Sequence, residues 1–372
     1  MIRRVFCTFL ATTILLTSIP VFSKTIKTYF GTTVDGVRII SEQIIEYSDF
    51  GFSIIEKIDE NHRIIRVIER NDALHTQFSS DIYTKATTIL TLLGISSFSI
   101  ERMAYEQLEF IALSPNIQGI ISYSRVDELG YVTYIEPSVA YFEAERAIKE
   151  ELAEIELLAH MARYNLFEYE SIQHNSGGAG IKNDGIMRLM HVVTQNHLDR
   201  ERYRFVTKAE WLQMPFARRV DSIGSIATSI AIDFDSISSF YGFDRRTQIG
   251  DTFSWHSHTY IPTSQHRING SWQGIAAILN MPSDVTMVYP VFISHRHTNF
   301  YAFNIFDGLI VHPQLATNFN SVGSHYHNGF GIGQFNPSVS ITLRGISASI
   351  GLDPSLQNTT RRDVSLLLQY TP

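Results

Sequence analysis

Lys208 is the last lysine of this chain and Glu210 is its last glutamate. From Trp211 to Pro372 the only formal charges are nine aspartates and nine arginines, so this tract is neutral and the residues before it carry the whole net charge of −7. A long tract without Lys or Glu, rich instead in Ser, Thr, Ile, Val, Phe, Tyr, Asn and Gly, favours strands and turns. "SIGSIATSIAIDF" (222–234), "SWQGIAAILNM" (271–281), "MVYPVFISHRHTNFYAFNIFDG" (287–308) and "PSVSITLRGISASIGLD" (337–353) read as strands. In "DVSLLLQYTP", Val364, Leu366, Leu368 and Tyr370 alternate with Ser365, Leu367 and Gln369, the period of a half-buried strand.

The first half has a different grammar. Residues 37–70 read as a strand meander with a turn at "DENH". "SSDIYTKATTILTLLG" reads as a helix capped by Ser80 and stopped by Gly94, and "SSFSIERMAYEQLEFIA" as a second, with Ser99 at its start. Residues 119–136 read as a hairpin turning at "DELG". A long helix follows at about 138–167, where Ile148, Leu152, Ile155, Ala159, Ala162 and Leu166 step by four and three. That stripe packs on its own domain or, alternatively, supports self-association. "HNSGGAGIKNDG" (174–185) reads as a flexible break.

The expected fold class is therefore an α+β N-terminal region followed by an all-β, sandwich-like C-terminal domain. Residues 1–23 read as a signal peptide: Arg3 and Arg4, then an apolar run, then Val21 and Ser23 at the small-residue positions before a cut near Lys24. The α+β domain spans 24–173, a linker or helical connection 174–200, and the all-β domain 201–372. The one cysteine, Cys7, lies in the leader, so the mature chain offers neither disulfide nor thiolate. No apolar run after the leader is long enough for a transmembrane helix, and no basic stripe suggests nucleic acid. The expected location is secreted or in the cell envelope.

More than half of the histidines fall between His256 and His327, about a fifth of the chain. Six form H-x-H pairs: His256 with His258, His295 with His297, His325 with His327. In a strand, i and i+2 share a face, so each pair can grip one side of a metal ion. Imidazoles without thiolates suit zinc or copper, with His266 and His312 as further candidates. The same region lacks any glutamate to serve as ligand or base, which suits a structural zinc better than a catalytic one. Otherwise the histidines decorate strand faces. No G-x-S-x-G, Walker loop or H-E-x-x-H is present.

"YRFVTKAEWLQMPFARRVDSIG" (203–224) resembles a segment of uncharacterised secreted β-rich proteins of Gram-positive bacteria, matched here by Thr207, Trp211, Met214, Pro215, Arg218, Asp221, Ile223 and Gly224. "LLGISSFSIERMAYEQLEFIA" (92–112) is similar to an upstream helix pair of that group, and Tyr326 and the strand pair after it fit its C-terminal pattern. The resemblance implies export and a β-rich second half, and brings no activity. Read physically, Trp211 and Met214 are core anchors, Pro215 ends a strand, and Arg218 and Asp221 are close enough to pair in a turn.

The leading functional expectation is an exported, non-enzymatic cell-envelope or extracellular protein whose β-domain binds a protein or a surface polymer. A His-rich zinc or copper protein or metalloenzyme is the alternative. An outer-membrane β-barrel is the second alternative.

Overall fold

A computed structural model of the chain describes residues 23–27, 33–34, 37–47, 51–70, 81–95, 100–101, 103, 105–126, 131–163, 185–215, 220–262, 264–268, 272–287, 292–311, 318–328, 338–342, 347–351 and 359–370. Residues 1–22, Ser80, Ser99, the "DELG" turn at 127–130, Arg218, His312 and the break at 174–184 lie outside the described residues.

The meander of isoleucines forms β3 (Val37–Tyr47), β4 (Phe52–Asp59) and β5 (Ile64–Arg70), paired antiparallel in sequence. Its "DENH" turn is fixed by Asp59, whose Oδ1 accepts the N–H groups of Asn61 and Arg63, both at 2.9 Å. That local bond lets His62 hold a φ of 56°. Helix α1 (Ile82–Leu92) stops at Gly94, as its sequence predicts. Gly94 has φ 85°, its N–H bonds the Thr91 carbonyl, and Ile95 N–H bonds the Leu90 carbonyl. This pair of bonds is a Schellman ending, which needs the left-handed conformation glycine adopts freely. Asp81 stands at the start of α1 and makes no side-chain cap. Helix α2 (Tyr105–Leu113) and the hairpin β6 (Asn116–Val126) with β7 (Val132–Tyr134) follow. The long helix, α3 (Pro137–Arg163), packs on β9 and β6 and buries Ala140, Ala144 and Ile155; of the predicted stripe Ile155 is buried and Ile148 is 37% exposed, while Leu166 lies outside the described residues.

Residues 186–195 depart from the sequence reading. Expected in a linker or helical connection, they form β8 (Ile186–Gln195), every residue of which is buried. A strand covered on both faces shows no alternation, so "IMRLMHVVTQ" carries no period to read. β8 pairs with β6 on one side and β9 (Arg202–Gln213) on the other. Strands from both halves of the chain thus share one antiparallel sheet. It continues through β16 (Ile293–Ile310) and β11 (Ile230–Ile249) to β12 (Thr252–Tyr260), and at the other end through β3 to β1 (Ser23–Lys27). Among the described strands it ends at β1 and β12 and does not close into a barrel.

A second antiparallel sheet runs β13 (Ser264–Ile268), β14 (Trp272–Asn280), β10 (Val220–Thr228), β17 (Asn318–Asn328), β20 (Thr359–Gln369). "SIGSIATSIAIDF", read as one strand, is the end of β10 and the start of β11. Between them Ser229, at φ 57°, turns the chain from one sheet to the other. The two sheets pack face to face around Trp211, Phe205, Phe306, Ile275 and Leu366. On the far side of the large sheet, Ile89, Leu90, Leu108, Ile111 and Ala144 of the helices pack against Ile121, Val192 and Phe303. The chain is mostly strand with few helices, in layers of small sheet, large sheet and helices.

The sheets approach most closely where β17 has no side chain. A Cβ built on Gly323 would lie 2.9 Å from both His191 Cβ and Thr207 Cγ2. Relief requires the two sheets to part. Gly323→Ala is expected to destabilise the protein by about 1–3 kcal/mol, the range for overpacking a filled core. Urea unfolding measures this, and a midpoint at or above wild type would show that the sheets can slide.

Candidate functional site

Strand parity decides which polar side chains enter the gap between the sheets. On β17, Phe319, Ser321, Gly323, His325 and His327 share the inward face. On β10 that face carries Asp221 and Ile223; on β20, Thr360 and Arg362. The register sets His327 opposite Asp221 on one side and Thr360 on the other, and His325 opposite Ile223 and Arg362. From the large sheet, β9 contributes Trp211.

These side chains converge on one carboxylate. Asp221 is 0% exposed. Its Oδ2 lies 3.0 Å from Trp211 Nε1 and 2.8 Å from His325 Nε2, and its Oδ1 lies 2.6 Å from His327 Nδ1. Burial alone would push the Asp221 carboxyl up. The two imidazoles and their N–H donation outweigh it and hold Asp221 well below the usual carboxylate range. With Asp221 ionised, each imidazole nitrogen facing it carries the proton. Burial is also the largest influence on His325 and lowers it, against the opposing pull of Asp221. The Arg362 guanidinium completes the layer, 4.9 Å over the Trp211 ring, with its Nε 3.0 Å from Ser124 Oγ of β6. One anion and one cation therefore sit in the same dry layer, each tied to the opposite sheet.

Two further polar groups are inlaid in the sheets. His191 of β8 is fully buried, with Nδ1 at 2.9 Å from Thr207 Oγ1 and Nε2 at 2.7 Å from Ser321 Oγ. Burial pushes it down to about 3, so it is neutral at ordinary pH. On the helix side, Arg188 and Lys208 flank Glu210, and Arg188 Nη1 also bonds Tyr141 Oη of α3 at 3.0 Å. Burial lowers Lys208 to about 8 although Glu210 opposes it. Burial works against the Glu210 carboxylate too, but the two cations bring it down to about 2.

The other two H-x-H pairs lie elsewhere. His256 and His258 are on the edge strand β12, and His295 and His297 on β16, with β11 between them. The register sets Arg245 of β11 beside both His256 and His297. Phe243 contacts the His258 and His297 rings at centroid distances of 5.3 and 5.1 Å. Asp284 lies 3.0 Å from His297 Nδ1 and accepts its backbone N–H at 2.8 Å. The six histidines thus divide into the pair His325 and His327 between the sheets and a group on β12 and β16 that grades from exposed His256 to buried His297. Among the described residues no three or more His, Cys, Asp or Glu are arranged to hold a metal ion.

Of the residues singled out around 211–221, Trp211 is 1% exposed and Met214 packs against the same core. Pro215 follows the end of β9. Asp221 is a core anion held by Trp211 and two histidines rather than a turn residue. Its histidine partners stand more than a hundred positions away, and no spacing rule links them. Arg362, Ser124 and His191 likewise meet partners on strands that no local spacing connects to them. A groove of about 170 Å³ between β5, β6 and β20 is below the usual size of a small-molecule site, and its cations Arg63 and Lys57 face Asp59 and Glu42. No family model matches the chain, and no curated protein matches it.

The depressed His191 has a measurable consequence. The unfolded chain takes up this proton near the ordinary histidine value of about 6.5, and the folded chain only near 3. Stability is therefore full above the ordinary value and is lost as pH falls toward the folded one. His191→Gln is expected to reduce the slope of stability against pH by up to about 1.4 kcal/mol per unit between about pH 6 and 5, above the range where carboxylates titrate. Parallel slopes for variant and wild type would show that His191 is protonated in the fold.

Proposed function

We propose that the chain is an exported, non-enzymatic protein of the cell envelope or extracellular space, whose β-sandwich binds a protein or a surface polymer. One observation carries this reading: the chemistry-bearing groups are sealed while a binding edge is open. Asp221, His325, His327 and His191 are at most 1% exposed. The described parts of a nucleophilic triad are also split. His191 has hydroxyl partners and no carboxylate, whereas His325 and His327 have a carboxylate and Trp211. By contrast β12 displays Phe253 and Trp255, each more than half exposed. Exposed aromatics on a rigid strand are what recognition surfaces use. The leader at 1–23 supports export.

Expression of the full chain in a bacterial host tests both parts. The product is expected outside the cytoplasm, beginning near Lys24 by terminal mass analysis. The mature chain is expected to cosediment with isolated envelope material, and Trp255→Lys to weaken this. An uncut cytoplasmic product, or cosedimentation indifferent to Trp255, overturns the reading.

A second reading is favoured by two ring nitrogens. His325 Nδ1 and His327 Nε2 are buried and have no hydrogen-bond partner among the described residues. Asp221 orients both rings from behind, as carboxylates orient metal-bound imidazoles. Zinc or copper suits such donors. Tag-free mature protein is then expected to carry near-stoichiometric metal and to melt lower in EDTA. Metal-free protein whose melt is unchanged by added zinc or copper removes this reading.

A further inference from the structure

Among the described strands four end the main paths of the two large sheets, β1, β12, β13 and β20, and the short strands β2 (Thr33–Val34), β7 and β15 (Val285–Met287) pair beside the larger path. An edge strand exposes unpaired N–H and C=O groups, and proteins guard it with charge, brevity or cover. β1 carries Lys24 and Lys27; β13 is five residues long and carries Arg267. β20 carries Arg361 and Asp363, and Tyr134 Oη bonds the Asp363 carbonyl. β12, T-F-S-W-H-S-H-T-Y, has nine residues in unbroken register on β11 and no formal charge. Phe253 is 58% and Trp255 53% exposed on one face, and Tyr260 is 42% exposed on the other.

We propose that two copies of this chain pair antiparallel through β12, about a two-fold axis at His256. This rests on the reading of the chain as a binding protein and names its partner as a second copy.

The strand is complementary to itself in size. A two-fold axis perpendicular to a continuous sheet sets one residue opposite its own copy. His256 is the midpoint of Thr252–Tyr260. Centred there, Trp255 of one copy meets Ser257 of the other, Phe253 meets Thr259, Tyr260 meets Thr252 and His258 meets Ser254. Every large ring faces a small hydroxyl side chain, so neither face is overfilled. The strand holds no Asp, Glu, Lys or Arg that would repel its own copy. Only His256 meets its like.

The mature chain has no cysteine, which makes the test clean. His256→Cys supplies one thiol and is expected to give a disulfide-linked dimer under mild oxidation, with Trp255→Cys as the off-register control. In sedimentation equilibrium the wild-type mature chain is expected to be dimeric at micromolar concentration near neutral pH. Trp255→Lys is expected to give a folded monomer by its melting curve. A monomeric wild type, a dimer indifferent to Trp255→Lys, or crosslinking through position 255 alone overturns the proposal. A monomer that still cosediments with envelope material through Trp255 removes the pairing and keeps the binding reading. Loss of both removes both.

Discussion

A carboxylate without access to water has to be matched by groups that point at it, and Asp221 imposes that condition on much of the fold. Taking an ion from water costs several kcal/mol unless its lone pairs find donors. Asp221 finds three: the Trp211 indole from the large sheet and the His325 and His327 imidazoles from its own. Apolar contact between sheets is non-directional and tolerates sliding. Three N–H groups aimed at two oxygens do not. The same layer holds Arg362, which reaches back to Ser124 on β6. The ionic layer thereby fixes β9 to β10 and β17, and β20 to β6, in one relative position.

His191 specifies position in a different way. It is held neutral, with a hydroxyl on each ring nitrogen, one from β9 and one from β17. It reports register through hydrogen bonds without carrying charge. Gly323 belongs to the same device, because its missing side chain lets β17 come close enough for Ser321 to reach the ring. A neutral hydrogen-bonded inlay and an ionised one, in the same gap, make the packing of these sheets unusually dependent on polar groups.

Much of this was legible in the sequence where a local rule applied. The meander, the hairpin at 119–136, the Gly94 helix stop, the long helix and the alternation of β20 follow from periods and turn chemistry. β8 was illegible because burial on both faces erases alternation. The β10–β11 corner was illegible because Ser229 takes a left-handed conformation that serine seldom marks. The inward parity of His325 and His327 is present in their spacing with Phe319 and Ser321. What spacing does not contain is Asp221 waiting on another strand, so the pair read as metal ligands or surface decoration. Long-range convergence is a property of register, and register is set by pairs of strands rather than by either strand alone.

The neutrality of the second half has two consequences that pull against each other. β16 and β11 pass through the middle of the structure with one face under the small sheet and the other partly under helices. Lysine or glutamate on such strands would have to be buried or paired, and Lys208, Glu210 and Arg188 show what that requires: a closed cluster of mutual partners. A tract drawn from Ser, Thr, Asn, His and aromatics avoids the requirement. The same composition extends into β12, where the sheet meets solvent and where lysine would ordinarily stand guard. An edge made of interior-type residues has nothing of its own to turn another strand away.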